Sequence, residues 1–414
     1  MNKFLQLACL VACTLLISTS APARAQQKSR TENGNSQKPL AQENTAIKEL
    51  ILKVFPQADR NRDGIISDAE EAAASRRALE RFPQADRDKD GLFSNAEKKA
   101  FLDAASRRSQ RNQSNDSPKR KTRQPARKPS FANVKYGQHE RQVFDIWLAK
   151  PGKPAPLAIY IHGGGFKGGS KENLNAADLN RLLEAGISVA AINYRYVATH
   201  PLPTSHHDAR RALQHMRSRA GEWNIDKDKV AAFGGSAGAQ ICMWLAFSEE
   251  MARPESSDPI ERESTRLTCV ATAGGQTSNG AEFWKKTVGP LLENRNIESL
   301  VQPFKGERDP EKIRMMMWNG KTLQEANQTA SQHSAINLVT SDDPPIFMSY
   351  GMSPTASLPK DPKRIRGWLI HHVNLGIVLK EKMDALKLES HLKFPGSKTK
   401  YDSLVNFLSD KLLK

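Results

Sequence analysis

The chain has 414 residues, a formal charge of +17 and 26% charged residues. That length accommodates one α/β domain of roughly 250 residues with a small accessory unit beside it. No apolar run reaches the roughly twenty residues a membrane-spanning helix needs, which excludes an integral helical membrane protein, and the positive excess is too local to inform the fold.

The N-terminal segment reads as a secretory signal: Lys3 as the basic region, an apolar run from Leu5 to Ile17, and Ala23-Arg24-Ala25 as a small-x-small cleavage site. Removal of residues 1–25 predicts a secreted or periplasmic protein with no transmembrane segment. A lipoprotein box, Leu10-Val11-Ala12-Cys13, is the competing reading of the same stretch. Residues 26–44 are polar without apolar periodicity and predict disorder.

Residues 45–104 hold an internal repeat, Phe-Pro-Gln-Ala-Asp-Arg, beginning at Phe55 and again at Phe82. After each copy comes a twelve-residue pattern. The first places Asp59, Asn61, Asp63, Ile65, Ser67 and Glu70 at alternating and closing positions around Gly64; the second places Asp86, Asp88, Asp90, Leu92, Ser94 and Glu97 around Gly91. Ca²⁺ takes six to eight oxygens. Side chains at positions 1, 3 and 5 converge from one turn, the glycine permits that turn, a carbonyl serves at position 7, and the glutamate closes the sphere. The two loops resemble the EF-hand family, which implies two Ca²⁺ sites in a small all-α pair. Only residues 71–85 separate the loops, so a compact pair is expected rather than one that opens as a switch.

Residues 105–130 form a basic linker in which nine Lys/Arg between 107 and 128 face the single acid Asp116. A solvated tether and a dock for an acidic glycan or envelope surface both fit it. Nucleic acid does not, because no stacking aromatics interleave the charges.

From 131 to 414, short apolar runs alternate with helical patterns, the signature of βαβ units and a mainly parallel sheet. Strands are expected at Gln142–Ala149, Leu157–Ile161, Ile187–Tyr194, Lys229–Phe233, Cys269–Ala273, Pro345–Tyr350 and His391–Phe394. Helices are expected near 172–185, 205–220, 237–248, 373–387 and 401–413. Residues 279–340 fit no strand and read as a helical cap, since Trp284, Phe304 and Trp318 need something to cover. Cys242 and Cys269, on a core helix and strand, are expected as buried free thiols.

Two motifs carry chemistry. Gly234-Gly235-Ser236-Ala237-Gly238 follows a strand and opens a helix, the context of a nucleophile elbow in which the serine is lifted above the sheet edge. His162-Gly163-Gly164-Gly165-Phe166 ends an earlier strand, and its unobstructed amides suit an oxyanion hole. The amides of Gly164, Gly165 and Ala237 are the candidates. With Tyr194-Arg195 between them, these motifs resemble the hormone-sensitive-lipase-like and related carbohydrate esterases over about 280 residues. The resemblance implies an α/β-hydrolase fold, an α/β class with helices on both faces of the sheet, and ester hydrolysis by Ser236. It makes His162 structural, and Asp208 reads as a helix-start residue.

The second half departs from that pattern. Gly351-Met352-Ser353-Pro354-Thr355 holds no acid where the family keeps one, and Pro395-Gly396-Ser397-Lys398-Thr399-Lys400 holds no histidine. His371 and His372 follow a loop, 351–370, that leaves the carboxyl end of a strand, and Asp361 lies within that loop. A relocated base at His371 or His372 with Asp361 as acid keeps the Ser…Asp…His order of this fold; a hydrolase with weakened or lost triad chemistry is the alternative. The expected function is thus a secreted, calcium-binding serine ester hydrolase acting on short acyl or polysaccharide acyl esters. A non-catalytic binding protein docking to an acidic surface is the second reading.

Overall fold

The computed structural model describes the larger unit at 127–149, 152–293 and 295–414. Of the smaller unit it describes 45, 47–49, 51–52, 58–59, 64–81, 85–86, 88, 90 and 92–102. The signal, the 26–44 segment, linker residues 105–126 and the ligand candidates Asn61 and Asp63 lie outside the described residues. The chain divides into two compact units, Met1–Lys121 and Thr122–Lys414.

In the smaller unit, α1 (Asp68–Arg81) runs from the end of the first loop toward the second, with Asp68, Glu70 and Glu71 in its first turn, where negative charge favours the helix dipole. Ile66 inserts from the first loop into a small core with Ile47, Ile51 and Leu102, each at most 4% exposed.

The larger unit is built on eight strands: β1 (Phe131–Lys135), β2 (Val143–Trp147), β3 (Ala155–Ile161), β4 (Ser188–Ile192), β5 (Ile225–Gly235), β6 (Cys269–Ala273), β7 (Ile346–Ser349) and β8 (Ser390–Lys393). Their order across the sheet is β1-β2-β4-β3-β5-β6-β7-β8. β1 and β2 pair antiparallel, as do β2 and β4; every pair from β4 to β8 is parallel.

β4 is buried throughout and β3 nearly so, because helices cover both faces. On one face Leu157, Ile159 and Ile161 pack with α3 (Thr204–Ser218) and α4 (Ala237–Phe247) through Leu213, Met216 and Ile241. On the other, Ala158, Val189 and Phe233 meet α2 (Ala176–Glu184) and α11 (Leu404–Leu412) through Leu182, Phe407 and Leu408. Burying one such Leu or Ile contributes roughly 1.5–3 kcal/mol, so this double-sided packing fixes the register of the strands that end at the site. Cys242 on α4 and Cys269 on β6 are buried free thiols.

Between β6 and β7, residues 279–340 form α5 (Ala281–Thr287), α6 (Pro310–Trp318), α7 (Leu323–Gln332) and α8 (Ala335–Leu338). Trp318 and Phe304 are buried in the main core, where Trp318 lies near His206. Two elements differ from the sequence expectation. β1 is an exposed edge strand with no apolar alternation to mark it. The 351–370 loop contains a helix, α9 (Pro362–Ile370), with Asp361 at its N-cap and proline in its first turn. α10 (Asn374–Ala385) follows directly and packs beside β8. Among the described residues no helix is long and apolar enough to cross a membrane.

Candidate active site

Ser236 occupies the turn from β5 into α4 at φ 53°, ψ −121°, a region non-glycine residues rarely adopt and one that costs about 1–3 kcal/mol. The neighbouring packing imposes it. Ser236 N–H donates to the Ala273 carbonyl at 2.9 Å. A Cβ at Gly234 would stand 2.3 Å from the Ile161 carbonyl oxygen, and one at Gly238 only 2.0 Å from it. The elbow therefore closes against the end of β3 in a way only glycine allows. The serine side chain makes no capping bond to α4, which leaves Oγ available on the other side.

The glycine loop after β3 sits against this turn. A Cβ on Gly163 would meet the Gly235 carbonyl at 2.6 Å, and one on Gly164 (φ +116°) the Gly168 carbonyl at 2.2 Å. The N–H groups of Gly164, Gly165 and Ala237 make no hydrogen bond to the described residues. Ala237 is the first residue of α4, so its amide also carries the positive end of that helix dipole.

His162 anchors the loop from below. It is fully buried, stacks on Tyr194 with ring centroids 4.1 Å apart, and has its Nδ1 2.7 Å from the Gly163 carbonyl oxygen. Burial pushes its pKa down to about 4, so it stays neutral and structural. Asp208 lies inside α3 and is likewise structural: its carboxylate accepts from Arg195 at 2.6 Å and from Gln142 at 2.8 Å.

Of the two candidate bases, the fold brings one to the serine. His371, at the C-terminal end of α9, has its Nε2 3.0 Å from Ser236 Oγ. Its Nδ1 lies 3.0 Å from the Gly367 carbonyl oxygen one turn back. His372 is turned away and fully buried, with its ring 4.7 Å from that of Trp368 and its Nδ1 accepting the Asn374 N–H at 3.3 Å. Asp361 does not meet either histidine. It is exposed at the other end of α9, where its carboxylate accepts the Lys363 N–H at 3.0 Å; helix capping has taken the role assigned to catalysis. Among the described residues no carboxylate hydrogen-bonds His371.

Sequence reasoning missed what holds His371 in place. Gln240 on α4 donates to Gln276 at 2.7 Å, and Gln276 donates to the Ile370 carbonyl at 2.6 Å. This ties the nucleophile's helix to the end of the base's helix. Tyr350 O–H donates to the Gly275 carbonyl at 2.7 Å. A Cβ on Gly274 would sit 3.1 Å from the His371 ring, so the imidazole rests directly on that glycine. Ile365 and Leu369 anchor α9 in a satellite core with Val288 and Leu292. The His371 pKa is lowered, mainly by burial and also by the charge of Arg366, against an opposing contribution from the Gly367 carbonyl.

In the smaller unit, oxygens of Asp86, Asp88 and Glu97 lie within 4.8 Å of one another. Glu97 accepts from the Ser94 amide and hydroxyl at 3.1 and 2.8 Å, and Glu70 accepts from the equivalent Ser67 groups at 3.0 and 2.8 Å. Asp59 accepts the Gly64 N–H through Oδ2 at 2.9 Å, while its Oδ1 is buried without a donor among the described residues. Asp90 turns its carboxylate to the Leu92 N–H. Ile65 and Leu92 are each 68% exposed, with side chains directed outward.

Comparison with known proteins bears on the larger unit. The family model described as BD-FAE matches residues 144–361. Esterase LipC of Mycobacterium tuberculosis is 33% identical over 132 residues, 30% of this chain and 33% of LipC. Esterase LipQ of the same organism is 24% identical over 224 residues, 53% of this chain and 48% of LipQ. The chain thus spans between a third and a half of these curated relatives. Among solved structures, a truncated form of a carbohydrate esterase from gut microbiota aligns with 69% of this chain and 96% of that one, at TM-score 0.51 and 19% identity, a likeness of fold.

Proposed function

The chain belongs to the BD-FAE family, and on that premise we propose that it is a serine carboxylic-ester hydrolase working through a Ser236–His371 dyad. The observation that carries this reading is the 3.0 Å approach of His371 Nε2 to Ser236 Oγ. The Gly367 carbonyl can accept a hydrogen bond only if Nδ1 carries the proton, which leaves the Nε2 lone pair facing the serine hydroxyl. His371 takes the hydroxyl proton as Oγ attacks the ester carbonyl carbon. The amides of Gly164, Gly165 and Ala237 receive the tetrahedral oxyanion. His371 then returns the proton to the departing alkoxide, the alcohol leaves, and water repeats the sequence on the acyl-serine to release the acid.

The carbonyl replaces one part of a triad carboxylate's work and not the other. It fixes the tautomer, whose loss accounts for about 10⁴ in kcat when the aspartate of a Ser-His-Asp triad is changed to asparagine. It supplies no full negative charge to stabilise the imidazolium. Turnover below that of a complete triad is the expected consequence.

The substrate is a short acyl ester, with an acylated polysaccharide favoured by the carbohydrate esterase fold likeness. Two Ca²⁺ ions are assigned to the smaller unit, supported by the converging oxygens of Asp86, Asp88 and Glu97 and by Asp59 Oδ1, buried without a donor among the described residues. There Asp59, Asp86, Asp88, Glu70 and Glu97 would hold the ions, which supply local folding energy and no reaction step. Export to the periplasm or medium rests on the N-terminal charge and apolar pattern.

The test is labelling of the chain with a fluorophosphonate and turnover of a short-chain aryl ester. Wild type should label and turn over, and Ser236→Ala should do neither; equal labelling of both would end the hydrolase reading. Isothermal titration with Ca²⁺ should give two binding events at up to millimolar concentration, and no heat in that range would remove the calcium assignment.

A further inference from the structure

Building on the hydrolase reading, we propose that the ester cleaved at this site carries an anionic group, a carboxylate or a sulfate, on its alcohol side, held between Lys167 and Arg366.

Lys167 follows Phe166 in the glycine loop, and Arg366 immediately precedes Gly367, whose carbonyl orients His371. The two cations thus come from the two halves of the catalytic apparatus. Neither side chain forms an ion pair or a hydrogen bond with any described residue. Several other partly buried arginines of this unit are committed: Arg195 to Asp208, Arg141 to the Tyr194 carbonyl, Arg217 to the carbonyls of Ser264 and Arg266. Arg210 on α3 is a further one whose Nε has no partner among the described residues, but nothing places it beside Ser236 or His371. Arg366 is half-buried with no such partner, and a cation removed from water without one is unfavourable.

The arrangement is held rather than incidental. Lys167 Nζ sits 4.9 Å from the centroid of the buried Phe304 ring, and Lys305 Nζ approaches the same ring at 5.6 Å. Cation–π contact with a residue of the cap thus fixes Lys167. Arg366 is close enough for its charge, after burial, to lower the pKa of both Lys167 and His371. Among the described residues no carboxylate pairs with Lys167, Arg366 or His371 to offset this repulsion. An anion placed between them would relieve it at each one.

The oxyanion does not account for the pair, since the three backbone amides already face it. The direction of the reaction indicates which part of the substrate is charged. His371 hands its proton to the leaving alkoxide, so the groups beside His371 face the alcohol. An acetylated acidic sugar has this form, with its carboxylate or sulfate near the esterified hydroxyl.

The experiment uses the full chain and compares kcat/KM for O-acetylated methyl glucuronide, an O-acetylated sulfated methyl glucoside and the neutral O-acetylated methyl glucoside, with an aryl acetate alongside. At least one charged sugar ester should be preferred over the neutral one by about ten- to a hundredfold at low salt, and the arm that wins identifies the anion. The preference should shrink in Arg366→Gln and in Lys167→Gln, survive largely in Arg366→Lys, and invert in Arg366→Glu. Aryl-acetate turnover with equal, or no, turnover of the sugar esters overturns this inference and leaves the hydrolase reading intact. A preference unchanged in both glutamine variants overturns it as well. If Ser236→Ala matches wild type on every ester, the hydrolase reading falls and this inference falls with it.

Discussion

The nucleophile side and the base side of the cleft are built by different means. The elbow and the glycine loop are held by backbone against backbone: Gly238 and Gly234 lie on the Ile161 carbonyl, and Gly163 on that of Gly235. The base is held by side chains reaching between elements, through Gln240, Gln276 and Tyr350. A backbone contact leaves a contiguous glycine signature in sequence. A side-chain strut can come from many positions and leaves none.

The difference can be broken first at the glycines. Gly238→Ala forces a Cβ to 2.0 Å from a carbonyl that belongs to a central strand and cannot yield. It should destabilise the fold by about 3 kcal/mol and reduce aryl-ester turnover to the Ser236→Ala level, read by thermal unfolding and initial rates. Gly274→Ala on the base side meets only the His371 side chain, from 3.1 Å, and adds the modest backbone strain of an alanine at φ +56°. Displacing that ring by a few tenths of an ångström should cost about tenfold in kcat with the fold retained. Equal damage from the two substitutions would erase the distinction between the regions.

A smaller effect lies in the pH profile. His371 must be neutral to act as base, and its pKa is lowered from 6.5 chiefly by burial. The acid limb of kcat/KM should therefore fall below pH 6.5, so that activity persists into mildly acidic solution. Arg366→Gln removes one lowering influence and should move that limb upward. A limb above 6.5 in wild type would mean that a carboxylate faces the imidazole after all.

How much of this was legible follows from the same contrast. The strands from β2 to β8, the elbow at Ser236 and the loop at Gly163–Gly165 could be read directly, because periodicity and contiguous glycines encode them. β1 could not, since Phe131–Lys135 is exposed and lacks alternation. α9 was missed although its signals were present: Asp361 before Pro362, then Ile365, Trp368 and Leu369 at helical spacing, interrupted by Gly367. Recognising that Asp-Pro start as an N-cap would have removed Asp361 from the acid candidates. The choice between His371 and His372 was beyond pattern, because adjacent residues differ only in which way the end of a helix turns them. The replacement of a carboxylate by the Gly367 carbonyl was equally hidden, since every residue has a carbonyl.

The dyad is tested most directly by comparing Asp361→Asn, His372→Ala and His371→Ala for aryl-ester turnover under one set of conditions. His371→Ala should lose about 10³-fold or more in kcat, while Asp361→Asn and His372→Ala stay within about threefold of wild type. A loss in Asp361→Asn comparable to that in His371→Ala, or a His371→Ala enzyme that still turns over at the wild-type rate, would contradict a base oriented by a backbone carbonyl alone.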